Sequence, residues 1–117
     1  MNKKFLKYVK KISKVLDNIT GNVKYLEDVE FLADREYKPI YLSTIESSEL
    51  LNSMSTILNS TFGNNKITTK NLSILICGFI AINDFMENSP ICNNYLIIEY
   101  DRCQSVYSLI RDSLIIK

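Results

Sequence analysis

An all-α domain is what this sequence predicts: amphipathic helices wrapped around one helix that is apolar nearly all round. Three observations carry that expectation. Residues 71–86, NLSILICGFIAINDFM, place eleven apolar side chains in sixteen positions of a chain otherwise rich in lysine, asparagine and serine. Phe5, Val9, Ile12, Leu16 and Ile19 recur at spacings of four, three, four and three, which draws one stripe down a helix. Helix-start signals, Ser43-Thr-Ile-Glu46 and Ser89-Pro90, stand where new apolar periodicity begins. The expected result is a single domain, 1–117, of about six to seven helices, with the hydrophobic one at about 69–87 in the centre.

The apolar run decides the class. As a helix, sixteen residues rise roughly 24 Å, short of the roughly 30 Å hydrocarbon core of a bilayer, and Asn83 and Asp84 add a further cost. A buried strand has support from the β-branched Ile74, Ile76, Ile80 and Ile82. Length argues against it, because buried strands run about four to eight residues and no other segment reads as a strand to pair with. A central helix remains. Gly78 fits, since a glycine in a helix interior costs about 1 kcal/mol relative to alanine and is usually kept for a close helix approach.

The other elements follow along the chain. The first helix is expected over 2–19, with Tyr8 and Val15 widening its stripe, and Thr20-Gly21-Asn22 ending it. A second, acidic helix is expected over 23–33 on Val23, Leu26, Val29 or Glu30, and Ala33, followed by a connection through Pro39 at 34–42. The Ser43 capping box opens a third helix carrying Ile45, Leu51, Met54, Ile57, Leu58 and Phe62, which Gly63-Asn64-Asn65 stops. Thr68 or Thr69 caps the central helix. After Ser89-Pro90, one stripe runs through Ile91, Tyr95 and Ile98, and a second, capped by Asp101-x-x-Gln104, through Cys103, Val106, Tyr107, Ile110 and Leu114. Residues 90–116 form either two helices or one kinked helix.

Composition excludes more than it selects. At 46% hydrophobic and 23% charged the chain is able to bury a core, and a net charge of +1 supplies no global field toward nucleic acid or anionic lipid. The charges are unevenly placed: Lys3, Lys4, Lys7, Lys10, Lys11 and Lys14 precede the first acid, Asp17, and Glu27, Asp28, Glu30, Asp34 and Glu36 follow within ten residues. Three cysteines, Cys77, Cys92 and Cys103, without CxxC spacing point to a reduced cytosolic protein. The basic MNKKFLKYVKKISK start is not followed by the apolar run of a signal peptide, and SLIRDSLIIK is too short and charged to anchor.

Catalytic chemistry finds little to work with. Without histidine the commonest general base and metal ligand are missing. The carboxylates show no metal or paired-acid spacing, and no glycine-rich phosphate loop exists. Cys92, beside the Ser-Pro cap, sits where a helix N-terminus lowers a thiol pKa, but no base accompanies it. The expectation is a non-enzyme with no cofactor and no metal.

Two surfaces are candidates for binding. A bundle this small leaves some flank of an all-apolar helix bare. The groove is expected beside the third helix at Leu51, Met54, Leu58 and Phe62, where methionine would let it repack around a partner helix. The alternative is that these four side chains simply close the core. Lys3, Lys7, Lys10, Lys11 and Lys14 form a basic face, read either as a solvated surface facing the acidic second helix or as a membrane or nucleic-acid contact.

Sixteen isoleucines and twelve asparagines against two alanines indicate an AT-rich genome. The stretch LSILICGFIAINDFMENSPI at 72–91 and the end YSLIRDSLIIK at 107–117 resemble the central helix, following turn and C-terminal helix of the short poxvirus Bcl-2-like virulence proteins; total length and the entry FGNNKITTKN also fit. The resemblance implies a Bcl-2-like bundle acting non-enzymatically in host cytoplasm. It further implies binding of a host signalling or pro-apoptotic protein, interference with innate signalling toward NF-κB or with apoptosis, and homodimer formation. The Trp-Gly-Arg element of cellular Bcl-2 proteins is absent, which speaks against their way of gripping death-promoting helices. No small-molecule substrate, nucleic acid or integral membrane anchor is expected. A second reading is a bacterial or phage helical-bundle immunity or regulatory protein with one partner; a third is a peripheral membrane or nucleic-acid binder using the lysine face.

Overall fold

A computed structural model describes residues 2–19, 26–89 and 93–117, and the fold is all-α. Helix α1 (Lys3–Leu16) starts at Asn2, whose side chain accepts a hydrogen bond from the Phe5 amide at 3.1 Å. It buries Phe5, Tyr8, Val9, Ile12 and Leu16, the stripe expected of it. The helix stops before Ile19, which still packs on the core from the turn that follows. Helix α2 (Leu26–Glu36) buries Leu26, Val29 and Ala33 and runs past its expected end at 33. Val29 takes the buried position and leaves Glu30 free to face a polar partner. The proposed Thr20-Gly21-Asn22 stop and Val23 lie outside the described residues.

The connection to α3 (Thr44–Thr61) is irregular but not superficial, since Ile40 and Leu42 are both buried. The capping box forms as the sequence requires. Ser43 Oγ accepts from the Glu46 amide at 3.1 Å and Glu46 Oε1 from the Ser43 amide at 2.9 Å, so two orphan donors of the first turn are satisfied. After α3 the chain reverses through Gly63 at φ 98° and Asn65 at φ 60°, the residue types that tolerate a left-handed backbone. Thr68, whose hydroxyl accepts from the Asn71 amide at 3.1 Å, opens α4 (Thr69–Asn88).

Helix α4 is the centre. It touches α1, α2, α3 and α5, and Leu72, Leu75, Cys77 and Ile82 along it are fully buried. Gly78 explains how α3 comes so close. A Cβ added there would stand 2.5 Å from Met54 Sδ, so the bare glycine backbone is what Met54 packs on. At the other end Asp17 Oδ1 accepts from the Thr69 hydroxyl at 2.6 Å, which pins the end of α1 to the start of α4.

Helix α5 (Asn94–Ile110) is one helix, continued by a 3₁₀ turn at Arg111–Ser113. Its cap is Asn93, whose side chain accepts from the Tyr95 amide at 2.7 Å. Asp101 lies in its interior and starts nothing. Of the expected Ser89-Pro90 start, Ser89 is the residue that ends α4, and Pro90 and Ile91 lie outside the described residues. Among the described residues there are thus five α-helices, fewer than the six to seven expected. Two further corrections concern faces. Tyr95 and Ile98, expected in a buried stripe, are 54% and 67% exposed, because the buried face of α5 is Leu96, Tyr100, Cys103, Tyr107 and Ile110. Ile45, expected to pack, is also exposed.

One strand pair exists where no strand was expected. Lys66–Ile67 (β1) and Ile115–Ile116 (β2) lie parallel, with the Ile115 amide donating to Asn65 O at 2.8 Å and the Lys117 amide to Ile67 O at 3.0 Å. This short clasp fastens the tail to the α3–α4 connection and seats Leu114 and Ile67 in the core.

Candidate functional site

The four side chains expected to line a groove do not share one. Leu51, Met54 and Leu58 are fully buried between α3 and α4, and Phe62 is 58% exposed at the end of α3. Helix α3 is drawn down on Gly78 at this point, so the seam is closed and these leucines and Met54 are core.

The central helix is less completely covered on another flank. Helix α2 has eleven residues and covers about 16 Å, against about 30 Å for the twenty residues of α4. Between α2 and α5 lies a cavity of about 250 Å³. Its floor is Ile76, Phe79 and Ile80 of α4, one wall is Glu30 and Asp34 of α2, and the other is Gln104, Tyr107 and Ser108 of α5. Phe79 and Ile80 remain half-buried. Aromatic contacts line the floor, with the Phe79 ring 5.9 Å from Tyr100 and 5.2 Å from Tyr107. The Tyr100 hydroxyl donates to the Phe79 carbonyl at 3.1 Å.

A polar network closes one end of this cavity. Glu30 accepts from the Tyr107 hydroxyl at 2.6 Å and from Arg111 Nε at 3.0 Å, and Arg111 Nη2 pairs with its other oxygen. Burial, then the adjacent Glu30 carboxylate, raises the Tyr107 phenol well above its ordinary range, and hydrogen bonding to Glu30 keeps Arg111 firmly protonated. Glu30 is thereby neutralised, whereas Asp34 is exposed and makes the rim acidic. An apolar floor with a carboxylate rim suits the apolar face of a helix that carries basic flanking residues. The sequence identified α4 as apolar all round but not the flank that stays open. The one available signal was the shortness of the acidic helix.

The lysine face is exposed as expected, at Lys3, Lys7, Lys10, Lys11 and Lys14. Of these, Lys11 turns to the acidic helix, its Nζ 2.7 Å from Glu36 Oε2. Lys4, Lys7 and Lys11 also border a second cavity, of about 350 Å³, whose other side is Glu36, Lys38, Pro39 and Ile40, with Tyr8 between.

The cysteines within the described residues are inert by position. Burial pushes the Cys77 thiol up to about 12 and the Cys103 thiol up to about 11; Cys92 lies outside the described residues. Among the described residues no group of His, Cys, Asp and Glu is placed to hold a metal ion, and no helix is long and apolar enough to cross a membrane. Set beside known proteins, the chain matches no family model, no curated protein and no solved structure.

Proposed function

We propose that this protein works without chemistry of its own, by seating a helical segment of a partner protein on the open flank of its central helix. The observation that carries the reading is the cavity between α2 and α5, where Phe79 and Ile80 stay only half-buried above the buried Ile76. Apolar side chains of a docked helix would fill it, and basic residues beside them would meet Asp34. The resemblance of residues 72–91 and 107–117 to the poxvirus Bcl-2-like proteins supplies the biological setting: a modulator in host cytoplasm that holds a signalling or pro-apoptotic protein, within a Bcl-2-like arrangement of the bundle. That resemblance also motivates self-association. Tyr95 and Ile98, about one turn apart on α5, are 54% and 67% exposed, an apolar patch suited to a second copy.

The test uses Ser108→Tyr, an exposed lining position where a larger side chain fills the cavity without entering the core, and Asp34→Lys, which reverses the rim. Fluorescence anisotropy with a panel of amphipathic helical peptides, basic-flanked and acidic-flanked, reads binding; thermal melting reads integrity. Basic-flanked peptides bind the wild type and lose affinity to both variants at unchanged melting temperature. Binding that survives Ser108→Tyr would place the functional surface elsewhere.

A further inference from the structure

We propose that the cavity between α1 and the α2–α3 connection is a binding site for a phosphorylated ligand, gripped by Lys4, Lys7, Lys11 and Lys38. Spacings of three and four put Lys4, Lys7 and Lys11 on one edge of α1, beside the buried Tyr8. The connection brings Lys38 to the opposite wall, and the open cleft of about 350 Å³ between them is bordered by a single acid, Glu36. That acid is engaged by Lys11 at 2.7 Å. Among the described residues none of Lys4, Lys7 and Lys38 makes a salt bridge. Several unmatched ammonium groups around one cavity repel each other, and a polyanion relieves that repulsion while displacing only water.

The electrostatic consequence is visible on the one carboxylate present. The hydrogen bond and charge of Lys11, then the charges of Arg35 and Lys38, hold Glu36 below its ordinary carboxylate range, so a negative charge is favoured here. Lysine ammoniums are compact, strongly hydrated donors that bind phosphate as point charges, without demanding the planar fork of arginine. Tyr8 and Ile40 offer an apolar floor for the carbon skeleton of a phosphate ester. The Tyr8 hydroxyl already donates to the Ala33 carbonyl at 2.5 Å, so the ligand contact there is the ring. This set differs from the whole lysine face: Lys3, Lys10 and Lys14 do not border the cavity, and they serve as internal controls. The phosphate could belong to a soluble metabolite or to a phosphoinositide headgroup. Both present the same chemistry to the four lysines.

Two probes distinguish those sources: inorganic pyrophosphate by isothermal titration, and phosphatidylcholine vesicles containing phosphatidylinositol bisphosphate by flotation. Each is applied to the full chain, to Lys4→Ala/Lys7→Ala, and to the charge-matched control Lys3→Ala/Lys14→Ala. All these positions are exposed, so melting temperatures stay at the wild-type value. Losing two charge-assisted contacts lowers affinity by about tenfold or more in the first variant, with little change in the control. Saturable pyrophosphate binding with that pattern supports a soluble ligand, and the pattern with vesicles alone supports a headgroup. Equal loss in both double variants would reduce the site to diffuse charge and overturn the proposal. So would the absence of binding to either probe.

Discussion

Gly78→Ala ought to destabilise this protein, although alanine is the better helix former. In an exposed helix interior the change gains about 1 kcal/mol from backbone entropy. Here the new Cβ would meet Met54 Sδ at 2.5 Å, Cε at 3.2 Å and Cγ at 3.3 Å. Favourable carbon contacts begin near 3.5–4.0 Å. Met54 is fully buried, so its side chain has no solvent to retreat into. Overpacking a core in this way costs about 1–3 kcal/mol. The collision therefore exceeds the propensity gain by about 1 kcal/mol, a fall of about 4 °C in melting temperature for a domain of this size. Urea and thermal melts of a double-mutant cycle separate the two effects. Met54→Ala alone leaves a cavity and costs about 2–5 kcal/mol. In that background Gly78→Ala should become stabilising by about 1 kcal/mol, because the collision is gone and only the propensity remains. The reversal of sign is the signature of the close approach. If Gly78→Ala raises the melting temperature of the wild type, or acts equally in both backgrounds, α3 does not rest on α4 at that glycine.

Ile76→Asp should abolish folding, since a buried unpaired carboxylate costs several kcal/mol against a total stability of about 5–15; wild-type-like circular dichroism and melting from this variant would refute the central place of α4. At high pH the tyrosines set a limit. Burial, then the Asp84 hydrogen bond, raises Tyr37 from 10.0 to about 12, and burial raises Tyr100 to about 12. Folded-state values above the unfolded ones mean that the tyrosine contribution is fully present below pH 10 and is lost as pH rises from 10 toward 12, while the raised Cys77 and Cys103 thiols begin the loss near pH 9, so urea midpoints should start to fall near pH 9 and drop further through pH 10 toward 12. Sedimentation at micromolar concentration should show a homodimer that Ile98→Glu, at a 67% exposed position, converts to monomer without loss of helicity. A wild type that remains monomeric at high concentration refutes self-association.

Most of the helices were legible because their determinants are local. Ser43 with Glu46, Thr68 with Asn71, and the Phe5-to-Leu16 stripe each act within a turn or two, where spacing alone decides which groups meet. The class of α4 was legible for a related reason, since a run of that length and polarity has few other solutions. Faces were less so. Ile45, Phe62, Tyr95 and Ile98 sit at plausible core spacings yet stand in solvent, because the chain carries more large apolar side chains than its core has neighbours for, and periodicity does not rank them. The β1–β2 clasp left no trace in the pattern: two residues are too few to show alternation, and Lys66–Ile67 and Ile115–Ile116 meet only once α4 and α5 have folded back. The open flank was decided last of all. Which side of α4 is less completely covered depends on where α2 ends, how the chain turns through Ile40 and Leu42, and how Glu30 reaches Tyr107 and Arg111 across the bundle. Those are contacts between residues far apart in sequence, and only packing brings them together.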